Sequence, residues 1–359
     1  MNLKKIDISI LLLLVFAVLL HIFSGNSNWI EHHYSNGLFL TISNLRCLLF
    51  GKLGFSFGDI IYGLAFLSLI FYFTRFIIVL FQKKITAIVF LYSLKRILLL
   101  TLMVYLMFNI FWGLNYNRLG IASQIGLELK KYDNNELKSL NALLIEKTNL
   151  SKKAIVDNHV EYPDNKSLFI QTKKAYDAVD DNYNFLTYKN PAIKKSIWGW
   201  LGNYWGFTGY YNPFTGEAQL NTTVPKFLLP FAACHEVAHQ LGYAKEKEAN
   251  FVSYLVAKKY NDSLFLYSAY LDLFFYANRN LYSQDTASAN QYRELLSDDV
   301  KKDIEELIEF NKAHRNFMEP MITKIYDLFL RSNQQPQGMM SYDEVTVYLM
   351  AYWRKRGGI

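Results

Sequence analysis

The chain has 359 residues, a hydrophobic fraction of 52 %, an aromatic fraction of 16 % and a formal net charge of +7. The apolar residues crowd the first third, which marks membrane spans rather than one large soluble core. The basic residues are scattered and several flank apolar runs. They lack the clustered face that nucleic-acid binding needs, which excludes that partner, and two cysteines, Cys47 and Cys234, exclude a disulfide framework.

In chain order, three apolar runs come first: residues 8–23, 60–80 (interrupted by Arg75) and 97–112. Each is near the roughly 20 residues a helix needs to cross the hydrocarbon. The basic start of the first run also suits a signal peptide. Its long apolar stretch, with no small-x-small site after it, favours an uncleaved anchor. Lys4 and Lys5, then Lys83, Lys84, Lys95 and Arg96, fall on one side if there are three spans, and that side is expected to be the cytoplasm. Residues 1–113 then form a membrane region and 114–359 a domain outside the cytoplasmic membrane. The apolar stretch 37–50 lies along the membrane or forms a fourth, short span, and a fourth span would reverse that placement.

Beyond the membrane region, Leu137, Leu140, Leu143 and Leu144 predict a helix over 134–147, and 173–185 is a second. Two short β-like runs around Pro213 to Gly216 predict a hairpin within 207–223. A helix is expected from Pro230 to Gly242. Val300, Ile304, Leu307 and Ile308 give an amphipathic helix over 297–312. Residues 332–340 read as a loop, and Ser341 with Glu344 has capping-box spacing for a last helix reaching Arg354.

The helix after the hairpin carries His235-Glu236-Val237-Ala238-His239. Four residues apart on a helix, His235 and His239 lie on one face, one turn apart, and can share one Zn²⁺. Glu236, next to the first histidine, is placed to act as general base on a water that the metal activates. Cys234 points about 100° away from His235 and reads as a small buried thiol. Gly242 follows the second histidine by three residues, but Lys245 stands where one metallopeptidase class has a third histidine, so a carboxylate is the better third ligand. Glu248 shares a helix face with Phe251, Val252 and Leu255, a face that must be buried. Glu246 lies with the more polar Ala249, Asn250 and Ser253. Glu248 is the favoured ligand and Glu246 the alternative, against a reading in which both only suit the helix dipole. Tyr342, His314, Tyr210 and Tyr211 are candidates for stabilising an oxyanion, and the sequence does not choose among them.

The segment HEVAHQLGYAKEKEANFVSYL resembles the zincin families whose third ligand is a glutamate. WGLNYNR (112–118), YYNPFTGEAQLN (210–221) and CHEVAHQLGYAKEKEANF (234–251) resemble an uncharacterised bacterial family of multi-spanning membrane proteins with a predicted zinc-peptidase domain. The resemblance implies His235, His239 and Glu248 on the zinc and Glu236 as base. The expected fold is mainly α, with N-terminal transmembrane helices followed by an α+β zincin-like domain whose small β-hairpin precedes the motif helix. One hairpin strand, 207–212 or 217–222, is the candidate edge to which an extended substrate adds. The expected function is a membrane-anchored zinc metallopeptidase, integral to the cytoplasmic membrane, acting on envelope proteins or peptides. The competing expectation is a catalytically silent zinc-binding membrane scaffold, against which the intact Glu236 argues.

Overall fold

A computed structural model describes residues 3–82, 86–180 and 182–359. The chain opens with α1 (Leu3–Ser24). A π-helical segment, Ile30–Leu38, runs into α2 (Phe39–Phe50), and α3 (Phe57–Phe81) and α4 (Ala87–Phe111) follow. Among the described residues, α1, α3 and α4 are the three helices long and apolar enough to cross a membrane. At 25 residues each, α3 and α4 are about 38 Å long, more than the roughly 30 Å of a hydrocarbon core. Ser56 caps α3 by accepting from Asp59 N at 3.1 Å, and Thr86 caps α4 by accepting from Val89 N at 3.3 Å. That second cap starts α4 ten residues ahead of the expected run, because residues 87–94 are apolar too. Lys95 and Arg96 therefore lie inside the helix rather than between spans, and Lys95 pairs with Asp7 of α1 at 2.6 Å. Lys83, Lys84 and the side chain of Lys4 lie outside the described residues.

The stretch 37–50 is not among the helices long enough to span. It packs against the chain beyond residue 112. Ser43 Oγ donates to the Gln240 carbonyl at 3.3 Å, and Arg46 donates to the carbonyls of Phe111, at 3.1 Å, and Pro213. Glu31, in the π-helical segment, holds Arg118 in a buried ion pair at 2.7 Å. A boundary at 113 therefore divides a body that residues 27–57 help to build.

The larger part continues with α5 (Asn134–Asp157), α6 (Asn165–Asp180), β1 (Ile193–Lys195), α7 (Gly199–Trp205), β2 (Gly209–Tyr211) and β3 (Ala218–Leu220). Then come α8 (Leu229–Gln240), α9 (Glu246–Tyr260), α10 (Ser263–Gln284), α11 (Thr286–Glu294), α12 (Asp298–Ala313), α13 (Glu319–Ser332) and α14 (Val345–Arg356). The strands form one sheet in the order β1-β3-β2, with β1 parallel and β2 antiparallel to β3. The expected hairpin is β2–β3. Asn212 Oδ1 makes its turn by accepting from Phe214 N and Thr215 N at 2.9 and 3.1 Å, and Gly216 supplies the left-handed residue at φ +74. The sheet lies on α8, and α9 packs along the same helix, so every residue of α8 is buried.

Three boundaries differ from the sequence reading. The second helix occupies 165–180 rather than 173–185. The segment before the expected loop is the helix α13. The capping box at Ser341 does not form: Ser341 ends a 3₁₀ turn, Gly338–Ser341, and α14 opens only after Glu344, which makes no side-chain cap bond.

Candidate metal centre

Helix α8 ends where its chemistry requires. Gly242, at φ +87, takes the left-handed conformation, and Tyr243 N donates back to the Ala238 carbonyl at 3.1 Å. The turn also aims the Tyr243 carbonyl at the motif, where it accepts from His239 Nδ1 at 2.7 Å. A side chain at Gly242 would meet Phe39 Cε1 at 2.8 Å. The turn then delivers α9 beside α8. Asn250, one turn into α9, accepts from His235 Nδ1 through its Oδ1 at 2.8 Å.

With each Nδ1 held by an oxygen, of Asn250 or of Tyr243, both histidines turn Nε2 to the same point. The two Nε2 atoms are 3.1 Å apart, and Glu246 Oε2 lies 3.1 Å from His235 Nε2 and 3.4 Å from His239 Nε2. Three atoms able to ligate a metal thus converge in a buried space. A cation relieves that arrangement. The separations match the edge of a tetrahedron, about 3.3 Å for ligands at zinc distances. His235, His239 and Glu246 are the group of side chains among the described residues that could hold a metal ion.

Glu248 stands elsewhere. Its carboxylate lies against Gly120, with Tyr348 Oη at 3.5 Å and Lys245 Nζ at 3.9 Å. The structure therefore sets Glu246, not the favoured Glu248, opposite the histidines. Every residue of α9 from Glu248 to Ala257 is buried, so burial does not single out one face. The polar face, Glu246 with Asn250, is the one turned to the imidazoles.

Electrostatics follow the same geometry. Burial works to raise the Glu246 carboxyl, but His239 and His235 overcome it and hold it well below the usual range. Burial works to lower His239, and Glu246 outweighs it, raising the ring to about 9. Glu236 is raised to about 7 by burial, partly offset by the two histidines. Its Oε2 has no hydrogen-bond partner. On its other side Gly209 of β2 leaves room for it: a Cβ there would sit 2.7 Å from both Glu236 Cγ and Oε1. Burial alone pushes the Cys234 thiol up, as befits a core residue.

Several neighbours were not legible beforehand. Tyr326 of α13 donates to Glu246 Oε1 at 3.1 Å, and its hydroxyl lies 3.2 Å from that of Tyr342. Tyr342 stacks beside His235, with ring centroids 6.3 Å apart. Trp112, directly after α4, donates through Nε1 to the His239 carbonyl at 3.1 Å and sets its ring edge-on to that histidine. Asn250 carried a usable signal, since it follows Glu246 by one helical turn. Tyr326 carried none. Of the other oxyanion candidates, His314 bonds to the Phe310 carbonyl, Tyr210 to Asp59 and Ser196, and Tyr211 packs on Trp112.

The three segments with the quoted resemblance converge here. Trp112 and Arg118 bond to the carbonyls of His239 and Gly242. The hairpin faces Glu236, and residues 234–251 hold the histidines and Glu246. No curated protein and no solved structure matches the chain. Residues 34–350 match a family described as "Protein of unknown function (DUF3810)", and the match takes in the end of α1's link, the membrane helices α3 and α4 and the whole centre: the chain belongs to that family.

Proposed function

We propose that the chain is a membrane-anchored zinc metallopeptidase with His235, His239 and Glu246 on the metal and Glu236 as general base. The observation that carries this reading is the convergence of three metal-ligand atoms at 3.1–3.4 Å beside a buried carboxylate oxygen without a partner. Zinc supplies, when bound, the Lewis acidity that activates water towards a carbonyl. Glu236 takes the proton of that water on its free Oε2 and passes it to the leaving nitrogen. Tyr326 holds Glu246 by donating to Oε1, and Asn250 and the Tyr243 carbonyl fix both imidazoles.

The edge strand β2 supports a peptide substrate. It pairs on one side only, with β3, and Gly209 on it borders Glu236. An extended chain adding to that edge passes the base. The side of the membrane follows from charge. The ends of α1, α3 and α4 that join the body are Ser24, Phe57 and Phe111, whereas Lys5, Arg75, Lys95 and Arg96 lie towards the opposite ends. By the positive-inside rule the body faces away from the cytoplasm, which makes envelope proteins or peptides the substrates within reach.

The test compares zinc-loaded wild type with Glu236→Gln on a broad set of unstructured peptides and tethered membrane proteins. We expect cleavage by wild type and a loss of about 10²–10⁴-fold in the variant, with equal zinc in both. Equal zinc with no cleavage by either would leave the silent scaffold instead.

A further inference from the structure

Helix α13 carries an outward face unlike that of any other surface helix of the body. Met321, Ile325 and Leu328 repeat at helical spacing on one side and are 52 %, 60 % and 55 % exposed, and Phe317, just ahead of the helix, is 92 % exposed. Trp200 and Trp205 of α7 are also exposed. The two helices are neighbours: Asn316 Nδ2 donates to the Tyr204 carbonyl at 2.7 Å, and Phe207 packs edge-on to Tyr326. By contrast, α12 turns Asp299 and Lys302 outward. An apolar cluster of this extent, unlike exposed apolar residues scattered singly, marks an interaction surface.

Its position names the occupant. Trp198, which leads into α7, donates through Nε1 to the Asp59 carbonyl at 3.0 Å and covers Gly63 of α3, where a Cβ would meet its ring at 3.1 Å. Gly63 is six residues into that helix, about 9 Å along its axis. Phe329 of α13 stands edge-on to Phe108, three residues from the end of α4. Both helices therefore sit beside the body-side ends of two helices long and apolar enough to cross a membrane, which is where the bilayer interface would lie. Tryptophan favours that depth, and an amphipathic helix lies there with its apolar side inward.

We propose that α7 and α13 form a membrane-docking face, with α13 lying in the headgroup–acyl boundary and its apolar stripe in the lipid. The face is continuous with the lipid-facing surface of α3 and α4. This rests on those helices crossing a bilayer and not on the chemistry of the metal centre. Its consequence reaches that centre, because Tyr326, on the inward side of the same helix, holds Glu246.

The test uses the full chain in phosphatidylcholine–phosphatidylglycerol liposomes. Single cysteines, Ile325→Cys or Leu328→Cys, carry an environment-sensitive fluorophore, and Lys302→Cys on α12 is the reference. Cys47 and Cys234 are buried and stay in place. At 325 and 328 we expect blue-shifted emission that is lost with lipids doxyl-labelled near the headgroup and unaffected by iodide. At 302 we expect the reverse. Iodide quenching at 325 equal to that at 302 would overturn the proposal. So would protection from iodide without doxyl quenching, accompanied by cross-links between two Ile325→Cys chains, which would make the face a contact between copies.

Discussion

Replacing Glu246 by glutamine removes the anionic oxygen that lies 3.1 Å from His235 Nε2 and 3.4 Å from His239 Nε2, while size and most packing stay the same. In the loaded centre this carboxylate is a buried anion facing a buried divalent cation. Breaking such a pairing costs on the order of 3–5 kcal/mol. At about 1.4 kcal/mol per tenfold, zinc affinity should fall roughly a hundred- to several-thousandfold. Glu248→Gln changes a carboxylate just as buried, but one that faces Gly120, Tyr348 and Lys245. A charge outside the ligand set contributes at most about 1 kcal/mol, so the shift should stay within about fivefold. Competition with a chromophoric zinc chelator, on detergent-purified chain checked for helix content, reads both numbers. Zinc lost in Glu248→Gln and kept in Glu246→Gln would refute the ligand assignment.

Further outcomes follow from the same contacts. Asn250→Ala frees His235 Nδ1 and should weaken zinc binding about 10–100-fold in the same competition assay. Gly209→Ala puts a methyl 2.7 Å from Glu236 Cγ; zinc content should hold while turnover drops about a hundredfold, as displaced catalytic groups do. Arg118→Met leaves Glu31 buried without its partner and should lower unfolding stability by about 3 kcal/mol in a denaturant titration. Zinc at a thousandfold excess over its Kd should add about 4 kcal/mol of stability, seen as a higher melting temperature that a chelator reverses.

The sequence made His235, Glu236 and His239 legible because their geometry is local: one helix fixes all three. The hairpin was legible through its turn residues, with Asn212 and Gly216 doing what their types suggest. The third residue of the cluster is harder to read, because burial favours Glu248 over Glu246 only if the apolar side of α9 faces the motif. That helix is buried on every side. Phe251 packs on Tyr348 and Tyr352, away from the imidazoles, and polarity is what distinguishes the face towards them. Residues 37–50 were ambiguous for a related reason. Ser43, Arg46 and Cys47 among them bond to the carbonyls of Gln240, Phe111 and Gly216, between 65 and 197 residues distant along the chain, which no periodicity reports.

The central claim is a metal held by two imidazoles and Glu246. Zinc content and X-ray absorption on the purified full chain, after zinc is supplied, test it most directly. The account expects one zinc per chain, a first shell of nitrogen and oxygen at about 2.0–2.1 Å with two imidazoles, and loss of the metal in His239→Ala. No bound zinc, or a sulfur neighbour near 2.3 Å that would bring in Cys234, would contradict it.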